Sequence, residues 1–281
     1  MQIYYYSDSQ NFGDSLNTWL WPKIFGTFEL PENHILVGIG SILDSRINTC
    51  IPPSAKKIIF GSGFRPSNPP PIIDQSWDIQ FLRGPLSSTN LANAKWIADG
   101  AYALGLLKLP PLKKKHKISY IPHFMSQSND KPLLEVMRSC GIHYIDPTQD
   151  VEDVMNDIRM SERILCEAMH GAIVADIFRV PWMRVRHRAH LHEGDDVSDF
   201  KWNDWAAALD LSLPTLTLNP NWEGAGVFGR VKHSIRNIQT IGKLNNILNK
   251  DFALSDEQTL RARTLEIAEA VQRIKSLYFT K

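Results

Sequence analysis

Apolar residues along this chain alternate between short continuous runs and stretches of helical spacing, the pattern of buried strands followed by helices. The run Ile3-Tyr4-Tyr5-Tyr6 predicts a first strand, and the loop from Ser9 to Asp14 leads into a helix carrying Leu16, Trp19 and Leu20, with Asp14 or Ser15 as its N-cap. Strands at 34–40 and 56–60 flow into the turns Gly38-Ile39-Gly40-Ser41 and Gly61-Ser62-Gly63. A proline-rich loop over 64–74 carries Arg65. A strand at 79–82 then ends in Arg83-Gly84-Pro85-Leu86-Ser87, where Pro85 suits a first helical turn. A short strand at 95–98 and a helix over 101–107 complete this half.

Leu109-Pro110-Pro111-Leu112-Lys113-Lys114-Lys115 is the clearest linker, and the β-α order restarts beyond it. Strands are expected at 118–121, 142–145, 164–166 and 182–187, with helices at 132–139, 151–160 and 171–178, the last stopped by Pro181. A further amphipathic helix ends near Leu209, and 235–248 reads as helical. Ser255 with Gln258 makes a capping box for a terminal helix whose Leu260, Ile267, Val271 and Ile274 share a face, with Arg261, Arg263, Arg273 and Lys275 as its wet side. The expected architecture is α/β: two Rossmann-like domains, 1–112 and 113–228, facing a central cleft, with helices of 229–281 packing back on them.

With 281 residues, 43% of them hydrophobic, the chain can build proper cores, and a net charge of +1 argues against nucleic acid as a partner. Three cysteines without a paired motif indicate neither a disulfide framework nor a zinc ribbon. Met1 leads directly into a strand signal, and no apolar run is long enough to span a bilayer. The expected location is the cytoplasm, on a membrane surface at most. The lysine run at 113–115 reads as solvated linker.

Candidate chemistry concentrates between Ser161 and His192. Glu167 and His170 fall where a buried strand turns into a helix, at the carboxyl end of a sheet where ligands bind in α/β folds. Imidazole titrates near neutrality, so His170 is the favoured acid/base, with Glu167 either orienting it or acting on substrate. Asp14 is a second candidate base. Arg184, Arg186 and Arg188 follow on the next strand and, with Arg65 and Arg83, offer bidentate donors for a small, multiply charged anion. His187, His190 and His192, with Glu193, Asp195 and Asp196 behind them, match no compact zinc spacing and have arginines among them, so no metal is expected. A serine hydrolase elbow is absent.

Asn11-Phe12-Gly13-Asp14, Leu82-Arg83-Gly84-Pro85-Leu86-Ser87, Met169-His170-Gly171 with Val180-Pro181, and Phe200-Lys201-Trp202-Asn203-Asp204-Trp205 together resemble the polysaccharide pyruvyl transferase family, in its bacterial exopolysaccharide ketal-pyruvate branch of the xanthan and succinoglycan type. The resemblance implies a fold like the GT-B glycosyltransferases and phosphoenolpyruvate as donor, with no further cofactor. It implies as acceptor a sugar diol on an exopolysaccharide unit, attached to a lipid carrier, which would become a cyclic pyruvate ketal. His170 is then the proton donor and Asp14 or Glu167 the base. Arg83, Arg65, Arg184, Arg186 and Arg188 grip the donor, and Asn11, Gly13, His123 and Trp202 complete the substrate-binding set. Much of the family carries an arginine two residues before the motif histidine; here Ala168 stands there, and Arg184, Arg186 and Arg188 are the expected substitutes. Two other readings stay open: a nucleotide-sugar glycosyltransferase of the same architecture, and a non-catalytic carbohydrate-binding module with Trp19, Trp21, Trp202 and Trp205 as stacking platforms.

Overall fold

A computed structural model describes residues 1–7, 11–26, 30–127, 131–188, 193–218 and 226–278, without the side chains of 127 and 226–233. The chain divides into two compact units, one made of Met1–Pro110, Asp195–Ser212 and Ser255–Lys281, the other of Pro111–Gly194 and Leu213–Leu254.

The first unit begins with β1 (Gln2–Tyr4), α1 (Phe12–Phe25), β2 (His34–Val37), β3 (Ser41–Leu43), α2 (Ile47–Cys50), β4 (Lys56–Phe60), β5 (Gly63–Phe64), β6 (Trp77–Phe81) and α3 (Pro85–Asn90). Its main sheet is parallel in the order β1-β2-β4-β6, and β3 pairs β5 in a second, two-stranded parallel ribbon. Because β4 is covered on both faces, Ile58, Ile59 and Phe60 are fully buried, as an uninterrupted apolar run in a parallel sheet requires. Trp21 and Phe81 meet Phe60 edge-on at 5.3 and 4.5 Å between ring centroids. The strand expected at 95–98 reduces to a single bridge between Leu82 and Trp96, and the helix expected beyond it is a 3-10 turn, Gly100–Leu106, capped by the Asp99 carboxylate.

Helix α1 starts earlier than its apolar spacing suggests. Asn11 is the N-cap, accepting the Asp14 amide at 3.0 Å, which places Asp14 inside the first turn rather than at the cap. Asn17 is fully buried in the same helix: its Oδ1 accepts the Ile39 amide and its Nδ2 donates to the Ile39 carbonyl, pinning the turn after β2. A side chain at Gly38 would collide with Asn17 and Trp21, so that turn needs glycine for close approach.

The second unit runs through β7 (Ser119–Ile121), α4 (Phe124–Gln127), α5 (Lys131–Ser139), β8 (His143–Tyr144), α6 (Val151–Arg159), β9 (Ile164–Cys166), α7 (Met169–Ile177) and β10 (Trp182–Arg186). The chain then returns to the first unit as α8 (Asp195–Ala208), where Trp205 is fully buried and donates to the Tyr102 hydroxyl at 3.1 Å. It rejoins the second unit as β11 (Thr215–Thr217) and α9 (Gly226–Asn245), and closes in the first unit with α10 (Glu257–Tyr278). Among the described residues the second unit's sheet has five strands, all parallel, in the order β11-β10-β9-β7-β8.

Helix α10 buries Ile267, Ala270, Val271 and Ile274, the face its periodicity predicts. Its first-turn amides at Gln258 and Thr259 are accepted by Asp256, one residue beyond the expected serine cap. Two of its expected wet residues are instead engaged with the first unit: Arg273 donates to Gln80 at 2.9 Å, and Arg263 donates to the Ala208 carbonyl and lies over the Trp96 ring. Long basic side chains reach back along the apolar surface beneath them. Among the described residues no helix is long and apolar enough to cross a membrane.

Candidate active site

Counted from its β8 edge, the sheet of the second unit has the doubly wound order 2-1-3-4-5, with β7 and β9 side by side at the point where the order reverses. Connections leave in opposite directions there, opening a crevice beyond the strands' carboxyl ends. Two segments border it: Pro122 to Ser126 after β7, and Glu167 to His170 after β9.

Glu167 joins them. Only 2% exposed, it accepts the backbone N–H groups of His123 (3.0 Å) and Arg188 (2.7 Å) and the hydroxyls of Tyr120 (3.2 Å) and Ser126 (3.0 Å). A carboxylate has about four lone-pair sites, so these donors take up most of its capacity and tie together the ends of β7, β9 and β10. Removing it in Glu167→Ala strands two backbone donors, each at a cost of about 1–3 kcal/mol. Amide exchange at His123 and Arg188 is therefore expected to accelerate; unchanged protection at both would exclude this organising role.

Every residue of α7 is buried except His170. The helix is apolar all round because it packs centrally, and its second residue brings an imidazole to the crevice end. The next residue is glycine because a Cβ there would lie 2.6 Å from Ile121 Cγ2 on β7. Ala168 is the N-cap of α7 and supplies no side-chain cap, so it contributes no donor here.

On β10, Arg184 pairs with Cys166 and Arg186 with Thr217; two residues apart on a strand, they share a face. Arg184 is buried, while Arg186 and Arg188 are partly exposed. His123 is buried, its Nε2 3.4 Å from Glu193 Oε1. His187 is buried with Nδ1 3.1 Å from the Leu218 carbonyl, and His190 and His192 lie outside the described residues. Burial pushes the Cys166 thiol well above its ordinary pKa, so it stays protonated and is no nucleophile.

In the first unit, Asn11 Nδ2 donates to Asp14 Oδ2, and that carboxylate borders the Gly40 turn, with Oδ1 3.6 Å from where a Gly40 Cβ would stand. Gly13 is buried in the same helical turn. Arg65 is partly exposed and donates to Ser67.

Arg83 has a different setting from an exposed donor grip. It is fully buried, with Nε 2.9 Å from Asp204 Oδ2 and Nη1 on the Ser41 hydroxyl. Asp204 also accepts the Ser87 amide (2.9 Å) and hydroxyl (2.6 Å), and the Ser87 hydroxyl accepts the Phe64 amide. Gly63 and Gly84 lie so close to the Arg83 guanidinium and the Asp204 backbone that neither could carry a side chain. The motif around Arg83 and the motif around Trp202 thus lock to each other. Trp202 is 1% exposed and packs edge-on against Trp205 at 5.8 Å, which leaves no ring face for a sugar; Trp21 and Trp205 are equally enclosed. Asp204, Ser41, Tyr120 and Ser126 carry no chemical signature of their own in the sequence, and their roles depend on partners far along the chain.

The model of the family described as polysaccharide pyruvyl transferase matches residues 12–188, a span that includes α1, the Arg83 motif and the whole Glu167–Arg188 region. The chain is also 37% identical over 216 residues to the succinoglycan biosynthesis protein ExoV of Rhizobium meliloti (strain 1021). That similarity covers 74% of this chain and 65% of the relative. With its motifs seated on two parallel α/β units and most of its length matched, this chain belongs to the polysaccharide pyruvyl transferase family and is similar to its succinoglycan-type members.

Proposed function

We propose that this protein transfers the pyruvyl group of phosphoenolpyruvate to two hydroxyls of a terminal sugar on an exopolysaccharide repeat unit, forming a cyclic ketal and releasing phosphate. The observation that carries the proposal is the single partly exposed residue of α7, an imidazole at the carboxyl end of β9 beside the Glu167 hub, in a chain of this family.

In this reading His170 protonates the methylene carbon of phosphoenolpyruvate, its central carbon becomes cationic, and a sugar hydroxyl adds there with loss of its proton. The second hydroxyl then displaces phosphate, which leaves with the C–O bond electrons as the ring closes. Asp14 is a better base than Glu167, whose lone pairs are occupied. The GT-B-like architecture, which would bring Asp14 to the same substrate, belongs to the proposal too. Arg184, Arg186 and Arg188 supply the positive charge that holds the donor and stabilises departing phosphate. No cofactor is needed for these steps. The acceptor in this proposal is a lipid-linked oligosaccharide at the cytoplasmic face of the membrane.

The test is to incubate the full chain with phosphoenolpyruvate and a panel of terminal hexosides, following inorganic phosphate and the acceptor's mass. Phosphate release coupled to a pyruvylated hexoside is expected. Nucleoside diphosphate release from a sugar nucleotide instead would make it a glycosyltransferase, and acceptor binding without turnover of either donor would make it a carbohydrate-binding module.

A further inference from the structure

His116, His143 and Asp157 come from three separate segments of the second unit: the linker before β7, the first residue of β8, and the last turns of α6. They gather at the amino-terminal edge of its parallel sheet. His143 pairs with Ser119, the first residue of β7, and His116 bridges Ser161 ahead of β9. Glu167 and His170 are at the other end of these strands, so the catalytic reading makes no use of this cluster.

We propose that these three side chains form a binding site for a borderline divalent cation of the zinc class. One ligand atom from each lies within 4.8 Å of the others. His143 Nε2 and Asp157 Oδ2 are 3.4 Å apart, long for a hydrogen bond and equal to the roughly 3.4 Å between ligand atoms that tetrahedral zinc imposes at its usual bond lengths. Two imidazoles and one carboxylate select zinc, cobalt or nickel over magnesium or calcium, which take oxygen ligands. All three residues are partly exposed, so an ion and a completing water can enter.

The two rings are stacked, 3.6 Å between centroids and 3° from parallel, so their lone pairs run side by side rather than converging. Ion binding therefore fans the stack open, with His116, on the linker side, turning its lone pair toward the other two ligand atoms. The nearest lysines leave the position open to a cation: Lys114 donates to the Arg159 and Ser161 carbonyls, and Lys115 is exposed, where its charge is screened. Once bound, the ion clamps the linker to β8 and α6 and stabilises the unit by mass action.

The experiment is titration of the chelator-stripped full chain with Zn2+ by calorimetry, and with Co2+ by visible absorption. The expected results are saturable Zn2+ binding, tetrahedral cobalt bands, and a melting temperature raised by Zn2+. His143→Ala and Asp157→Asn should each weaken Zn2+ binding by roughly tenfold or more and abolish the cobalt bands, while His34→Ala, in the other unit, leaves both unchanged. Asp157→Asn keeps the side chain's shape, so loss of binding in a variant with an intact circular dichroism spectrum is not unfolding. Absence of Zn2+ binding by the parent protein, or binding that survives both ligand substitutions, would overturn the proposal.

Discussion

Under the proposed reaction, His170→Ala is expected to reduce phosphate release from phosphoenolpyruvate by about 10²–10⁴-fold, the range over which a positioned general acid acts. In that reaction carbon protonation is the step that makes the enol phosphate electrophilic, and on α7 only His170 carries a transferable proton on a partly exposed residue. Because His170 is partly exposed and Gly171, not the imidazole, makes the close approach to β7, the substitution should leave the melting temperature nearly unchanged. Initial rates at saturating donor separate the two effects. A fall in kcat with the donor KM little altered marks an interaction made in the transition state. Turnover within a few-fold of the parent protein would remove His170 from the proton-transfer step.

Asp204→Ala is expected to destabilise the first unit by about 3–5 kcal/mol, the cost of stripping one partner from a buried ion pair. The loss leaves the Arg83 guanidinium enclosed without its counter-charge, and the Ser87 amide and hydroxyl without their acceptor. Arg83 Nη2 already has no partner among the described residues, so little capacity exists nearby to absorb the change. Urea unfolding followed by tryptophan fluorescence measures it directly, since Trp202 and Trp205 lie on the same helix as Asp204. A loss under about 1 kcal/mol would place this pair with solvated surface ion pairs. Arg83→Ala distinguishes the two readings of the arginine. A structural lock predicts lost stability, whereas an unchanged stability with a raised KM for phosphoenolpyruvate would return Arg83 to the donor site.

The two predictions differ in how visible their residues are in the sequence. His170 stands out because an apolar run followed by helical spacing marks a strand-to-helix turn, and β9 and α7 form where that pattern puts them. Arg83 reads in sequence as a strand-end arginine beside a helix start, which is where it is; its complete burial against Asp204, 121 residues away, is not written in its neighbourhood. The tryptophans illustrate the same division. Their spacing on α8 is legible, but whether an indole faces water or core depends on what α8 packs against, and the chain brings it back to the first unit after leaving the second.

The sequence by itself determined most of the local elements, though not the caps of α1 and α10 or the form of 95–107, together with the α/β alternation, the Asn11–Asp14, Arg83 and His170 motifs and the family they belong to, because strand runs and helical spacing are set by neighbours a few residues apart. Only the tertiary structure decided which strand lies beside which, and so that β7 and β9 flank the order reversal. It also decided that Glu167 collects donors from Tyr120, His123, Ser126 and Arg188, and that His116, His143 and Asp157 meet at one sheet edge. Those outcomes depend on which distant surfaces bury each other most completely, a property of the whole packed chain that no short window of residues contains.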